Sequence, residues 1–143
     1  YDRLQPASMA GYWANWAGDH RMVTIRTSTS SSNSARIEHR TADGAGNPYI
    51  VTSSVLTASL LGIKNKYKLP NAEDLDGMEN VRATKHVPSS LSKALSALDK
   101  DRILKSEIGE KFCNAFIEIK KDEATRLHDK SIDEIREYYL PFV

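Results

Sequence analysis

Apolar and polar residues change rhythm twice along this chain. The first third carries short β-branched or aromatic runs separated by turn residues. Tyr12-Trp13-Ala14-Asn15-Trp16 reads as strand or packed loop, Gly18-Asp19 as a turn, and Met22–Arg26 as a short strand. The stretch from Thr27 to Ser34, almost wholly Ser and Thr, reads as a mobile connection, and Ala35–Arg40 resumes as a strand, giving a hairpin. After the Asp43–Gly46 turn, Asn47 can cap a helix whose first position is Pro48. That helix runs to about Tyr67 and is apolar nearly all round, which predicts burial.

Leu69 to Pro88 lacks periodicity and reads as a long surface excursion. Pro88-Ser89-Ser90 opens a helix with Leu91, Leu95 and Leu98 in one stripe. A short helix follows over Asp101–Ile108, stopped by Gly109. Glu110 to about Leu127 is amphipathic, with Phe112, Ala115, Phe116 and Ile119 assigned to one face. Ser131 and Glu134 form a capping box for a last helix, and the end of the chain is apolar. The expected class is α+β: a short antiparallel sheet backed by several helices.

The length of 143 residues fits one domain or a piece of a larger one. A net charge of +1 gives no basic excess, so nucleic acid is not an expected partner. The single cysteine, Cys113, excludes an internal disulfide and a cysteine-based zinc site, and points to a reducing, cytoplasmic setting. No apolar stretch is long enough to span a bilayer, so no membrane association is expected, and no signal peptide is visible.

The chemistry concentrates on the second strand. Alternation places Arg36, Glu38 and Arg40 on one face, about 6.5–7 Å apart, with Ile37 and His39 opposite. A carboxylate between guanidiniums stays ionised and can bind a divalent metal while the arginines hold phosphate oxygens. A hairpin would bring Arg21 and Arg26 close. The competing reading is a solvent-facing strand of alternating charges, each pair worth about 0–1 kcal/mol. His39, Trp13 and Trp16 read as structural residues.

These residues resemble a family signature. Arg36-Ile37-Glu38-His39-Arg40, Asp43 and Asn47-Pro48-Tyr49 resemble the R-I-E-x-R … D … N-P-Y pattern of the glutamine synthetase catalytic domain. Tyr1-Asp2-Arg3-Leu4-Gln5-Pro6 is similar to its Y-x-R-L-x-P run, His20–Arg26 to its N-R-x-x-x-I-R strand, and Pro88–Asp101 to a late helix. The resemblance covers essentially the whole chain. It implies that residues 1–143 are the C-terminal part of that catalytic domain, with 1–46 carrying the site on strands and loops and 47–143 mainly helical. It implies an ATP-dependent ligase that joins glutamate and ammonia through γ-glutamyl phosphate.

By that resemblance, Glu38 would be a ligand for Mg2+ or Mn2+, and Arg3 and Arg40 would bind glutamate. Arg21 would meet the transferring phosphoryl group or the γ-carboxylate, with Arg40 beside it in the catalytic set. Arg26, Arg36 and Arg21 would contact ATP. The intact protein would be a homo-oligomer whose small-molecule partners are glutamate, ATP and ammonia or an amine. Met9 stands about where the family carries a glutamate that helps deprotonate ammonium, which favours an alkylamine or polyamine as an alternative nucleophile. A non-catalytic assembly or regulatory module is the alternative from another class. One carboxylate does not make a two-metal site, so the chain reads as a fragment, inactive alone.

Overall fold

A computed structural model describes residues 1, 3–29, 32–76 and 81–142. The Ser/Thr-rich connection, the 69–88 excursion, the opening motif and the apolar end each include positions outside the described residues: Ser30 and Ser31, residues 77–80, Asp2, and Val143. The chain forms two compact units. One comprises Tyr1–Ala42 with Lys68–Ser89, the other Asp43–Tyr67 with Ser90–Val143.

The first unit holds a three-stranded sheet, β1 (Trp16–Gly18), β2 (Ile25–Ser28) and β3 (Arg36–His39), with β2 in the centre. The expected hairpin is present: β2 and β3 run antiparallel, with Arg26 opposite Glu38 and Ser28 opposite Arg36. A 3-10 turn at Ser32–Ser34 lies in the connection. The sheet is mixed, because β1 joins β2 in parallel. Six residues, 19–24, are few for a parallel connection. Buried Asn15 helps close it: its Oδ1 accepts the Thr24 N–H at 3.2 Å, while the Thr24 hydroxyl donates to the Trp13 carbonyl at 2.5 Å. Asp19 takes a left-handed φ of 49° at the turn. Val23, wholly buried, and Ala17 are the apolar core here.

The 68–89 segment is less independent than its lack of periodicity suggests. Its backbone satisfies groups of the 12–16 run: Ala14 N–H donates to the Lys85 carbonyl (2.9 Å), Val87 N–H to Tyr12 (2.9 Å) and Glu73 N–H to Trp16 (2.8 Å). The Trp16 indole donates to Pro70 at 2.9 Å, and His86 stacks on Tyr12 with ring centres 4.8 Å apart. Buried Glu73 accepts backbone N–H groups from Leu75 and Arg82. Gly11, at φ +85°, lies so close to the chain opposite that a Cβ there would stand 3.0 Å from both Thr24 Cα and the Val23 carbonyl oxygen.

The second unit is helical. Its elements are α1 (Pro48–Lys64), α2 (Leu91–Lys100), α3 (Arg102–Ile108), α4 (Glu110–Arg126) and α5 (Ile132–Tyr139), followed by a 3-10 turn over Leu140–Phe142. Asn47 caps α1 as expected, accepting from Tyr49 and Ile50. The helix stops at Lys64, three residues before the expected end, where Lys66 turns left-handed (φ 52°) and Tyr67 N–H returns to the Gly62 carbonyl. The Ser131–Glu134 capping box on α5 forms in both directions.

Two burial expectations are corrected. In α1 only Leu61 is buried, and Tyr49, Leu56, Leu60 and Ile63 are 84, 58, 65 and 76% exposed. The apolarity of a helix reports the surroundings it is suited to, and the helix packed against α1 here, α3, covers one side. In α4 the buried positions are Cys113 and Ile117, whereas Phe112 and Ile119 are exposed. That helix is apolar on two adjoining flanks, and the Cys113 flank is the one buried as α4 packs with α2 and α3.

Candidate functional site

Antiparallel register puts Arg26 directly across from Glu38, and the two side chains meet, Arg26 Nη1 to Glu38 Oε2, at 3.2 Å. Arg40, just past β3, donates through Nη1 to the other carboxylate oxygen, Glu38 Oε1. Its Nη2 donates to the Met9 carbonyl at 3.1 Å. Arg26 Nη2 also pairs with Asp19 Oδ1 at 3.2 Å. The result is a continuous chain, Asp19–Arg26–Glu38–Arg40, with both arginine side chains largely buried and the Glu38 side chain at 39% exposure.

Arg3 joins from the loop side. Its guanidinium donates to the Arg40 carbonyl (3.0 Å), the Ala42 carbonyl (3.0 Å) and, more weakly, the Thr41 carbonyl (3.5 Å), fastening the chain opening to the end of β3. Partial desolvation acts to raise the Glu38 pKa. The Arg40 hydrogen bond and the Arg40 and Arg26 charges outweigh it and hold the carboxyl below its usual range. Glu38 is therefore a carboxylate at neutral pH. The buried Nε–H groups of Arg26 and Arg40 have no hydrogen-bond acceptor among the described residues. A buried donor without a partner is costly.

Two expected members stand apart. Arg36 shares the strand but is exposed, with one long contact, 3.5 Å, to the Ser34 carbonyl. Arg21 lies in an exposed turn and makes no ion pair among the described residues. Strand alternation places same-face residues in a row, but the guanidiniums that reach Glu38 are those across the sheet and after the strand, Arg26 on one oxygen and Arg40 on the other. Sequence reasoning missed Asp19 and the Met9 carbonyl. A turn acid shortly before an arginine-bearing strand signals the first; a backbone acceptor leaves no sequence signal.

The donor set does not make a metal centre by itself. Among the described residues no three His, Cys, Asp or Glu side chains gather as ligands, and both Glu38 oxygens are held by guanidiniums. No described helix is long and apolar enough to cross a membrane.

A carboxylate held between two guanidiniums on a small sheet is the most connected charged feature of the first unit among the described residues, and comparison with known proteins gives the family. The family described as "Glutamine synthetase, catalytic domain" matches residues 1–139. A glutamine synthetase of Staphylococcus aureus (strain MW2) is 36% identical over 129 residues, 86% of this chain and 29% of that protein. One from Pyrococcus abyssi is also 36% identical over 129 residues, with the same coverage. The solved structure titled "Apo GmaS without ligand" superposes on 90% of this chain and 30% of its own, with a TM-score of 0.72 and 26% identity. The chain belongs to the glutamine synthetase family, and it spans less than a third of the length of these relatives.

Proposed function

We propose that this chain supplies the guanidinium side of the active site of an ATP-dependent glutamate–ammonia ligase. The observation that carries this reading is the Arg26–Glu38–Arg40 cluster, with Arg3 fastened to the end of the same strand. Forming γ-glutamyl phosphate places negative charge on carboxylate and phosphoryl oxygens, and prealigned cations lower the cost of that charge. In this reading Arg3 and Arg40 bind glutamate. Arg21 meets the phosphoryl group, and Arg26 and Arg36 lie toward ATP. Glu38 donates one ligand to Mg2+ or Mn2+, and the other ligands come from polypeptide outside these 143 residues. Residues 1–46 carry the site in such a domain, 47–143 support it, and the assembled enzyme is a homo-oligomer.

The test has two arms. The purified 143-residue chain is expected to show no ATP-dependent γ-glutamyl transfer, and turnover by it would refute its dependence on further polypeptide. Grafted into the S. aureus relative in place of the matching 129 residues, the segment is expected to support turnover. There Arg40→Lys should lower kcat/KM for glutamate by tenfold or more, because an ammonium cannot span both the Glu38 carboxylate and the Met9 carbonyl. Unchanged kinetics would remove Arg40 from the glutamate site.

A second reading concerns the nucleophile. Met9 gives its carbonyl to Arg40 and exposes 62% of its surface beside the cluster. An apolar thioether there favours a small alkylamine over ammonia, and no carboxylate is present at that position to take an ammonium proton. Ammonia as the best of a panel of ammonia, methylamine and ethylamine in the grafted enzyme would exclude this reading.

A further inference from the structure

His20, half-buried in the turn after β1, has no part in the proposed chemistry, yet both of its ring nitrogens are engaged. Nδ1 accepts the Met22 N–H at 3.1 Å, and Nε2 lies 2.8 Å from the Leu75 carbonyl oxygen. A carbonyl only accepts and a backbone N–H only donates. One form of the ring satisfies both partners, the neutral imidazole with its proton on Nε2. The far anchor is itself held. Leu75 N–H donates to Glu73 Oε1 at 3.3 Å, and Glu73, 5% exposed, donates its own N–H to the Trp16 carbonyl of β1 at 2.8 Å. Glu73 Oε2 also accepts the Arg82 N–H at 3.0 Å. A hydrogen-bonded circuit thus leaves β1 at Trp16, passes through Glu73 and Leu75, and returns to the chain at His20.

Arg21 sits inside the smaller closure, between His20 and Met22. It is exposed and makes no ion pair among the described residues, so its backbone sets where its side chain starts. We infer that His20 is a positioning residue: by bridging Met22 and Leu75, its imidazole fixes the turn that presents Arg21 for phosphoryl transfer. The inference rests on the reading of Arg21 given above. An asparagine could make the Met22 bond alone, as in turns where Asn bonds its own backbone two residues on. Asn is the first residue of the N-R-x-x-x-I-R pattern that His20–Arg26 resembles. What histidine adds is the reach to Leu75, which ties the turn to a second stretch of chain. A guanidinium that must meet a transferring group needs support that holds it to within about 0.5 Å.

The bridge and its purpose are tested separately. In the 143-residue chain, long-range proton–nitrogen NMR of the imidazoles in mildly alkaline buffer should show His20 as a single neutral tautomer protonated on Nε2. The signal is assigned by its loss in His20→Asn. A proton on Nδ1, or averaging between the two forms, would overturn the inference without reference to any activity. In the grafted S. aureus enzyme, His20→Ala should lower kcat about tenfold while KM for glutamate changes by less than about twofold, because a misplaced group costs rate and not substrate binding. His20→Asn keeps an acceptor for Met22 but does not reach Leu75, so its kcat should fall too; full activity in it would overturn the inference. A residue that only stabilises the fold acts whatever side chain Arg21 carries, so a double-mutant cycle decides. With Arg21→Met in place, itself expected to lower kcat about a hundredfold, adding His20→Ala should change kcat by less than about twofold. Additive losses would make His20 a structural clasp and overturn the inference while the role of Arg21 stands. An Arg21→Met enzyme with undiminished kcat would instead remove Arg21 from phosphoryl transfer, and the inference would fall with that reading.

Discussion

Arg40 meets four other residues: its Nη atoms meet Glu38 and the Met9 carbonyl, its N–H donates to the Thr24 carbonyl, and its own carbonyl accepts from Arg3. Its influence on Glu38 can be measured directly. The Glu38 carboxyl is held below its usual range, so the stability it contributes is fully present above the ordinary carboxylate pKa. That contribution is lost as pH falls through the lowered folded value. Replacing Arg40 with Met should move the Glu38 titration midpoint, followed by NMR of the side-chain carboxyl, back toward an ordinary glutamate. An unmoved midpoint would assign the depression to Arg26. The core gives a second prediction. Val23 is fully buried, and Val23→Ala should cost about 2 kcal/mol in urea unfolding, the scale of losing two buried methyl groups and leaving a small void. The charged cluster was legible as residues on one strand face, but its wiring was not. Which guanidinium reaches Glu38 depends on the register of β2 against β3 and on the loop that brings Met9 to Arg40, and local pattern encodes neither.

Helix boundaries were the most legible elements. Asn47, Ser90, Asp101 and Ser131 each accept a backbone N–H at a helix start, because capping is chemistry within three residues. Ser131→Ala should therefore weaken α5 by about 1 kcal/mol, seen as faster amide exchange in Ile132–Tyr139 and little change in α4. The capping carboxylate adds a pH dependence. Hydrogen bonds from Lys130 and Ser131 pull the Glu134 pKa down to about 2, so its support of α5 should fade as pH drops from about 4.5 toward that value. Strand positions were less legible: β2 starts at Ile25, three residues beyond the expected Met22, because Met22–Thr24 fold into the tight connection from β1. The parallel β1–β2 pairing and the bonding of 81–87 to the aromatic run join residues distant in sequence or held by side-chain closure, so periodicity carried no trace of them.

At the scale of the molecule, net charge and exposed apolar surface act together. The chain carries +1 at neutral pH, its isoelectric point is about 8.0, and large apolar side chains are exposed on α1, α4 and the C-terminal turn. Self-association measured by light scattering should peak near pH 8 and recede toward pH 6, where added positive charge makes copies repel. A fixed level of scattering across that range would show that apolar contact alone governs it. The α+β class was readable from the sequence, as was the helical character of residues after 47. The degree of exposure was not, because a residue's apolarity records the layer it is suited to and not how much of that layer is present.

Gly11 ties two of these observations together. It lies between Met9, whose carbonyl meets Arg40, and Tyr12, whose carbonyl receives Val87, and it passes Val23 and Thr24 with no room for a Cβ. A methyl group inserted there would lever the loop away from the strand, and both holdfasts would shift in concert. The guanidinium end of the sheet and the returning 81–87 stretch are thus geared to one another through the clearance of a single hydrogen atom.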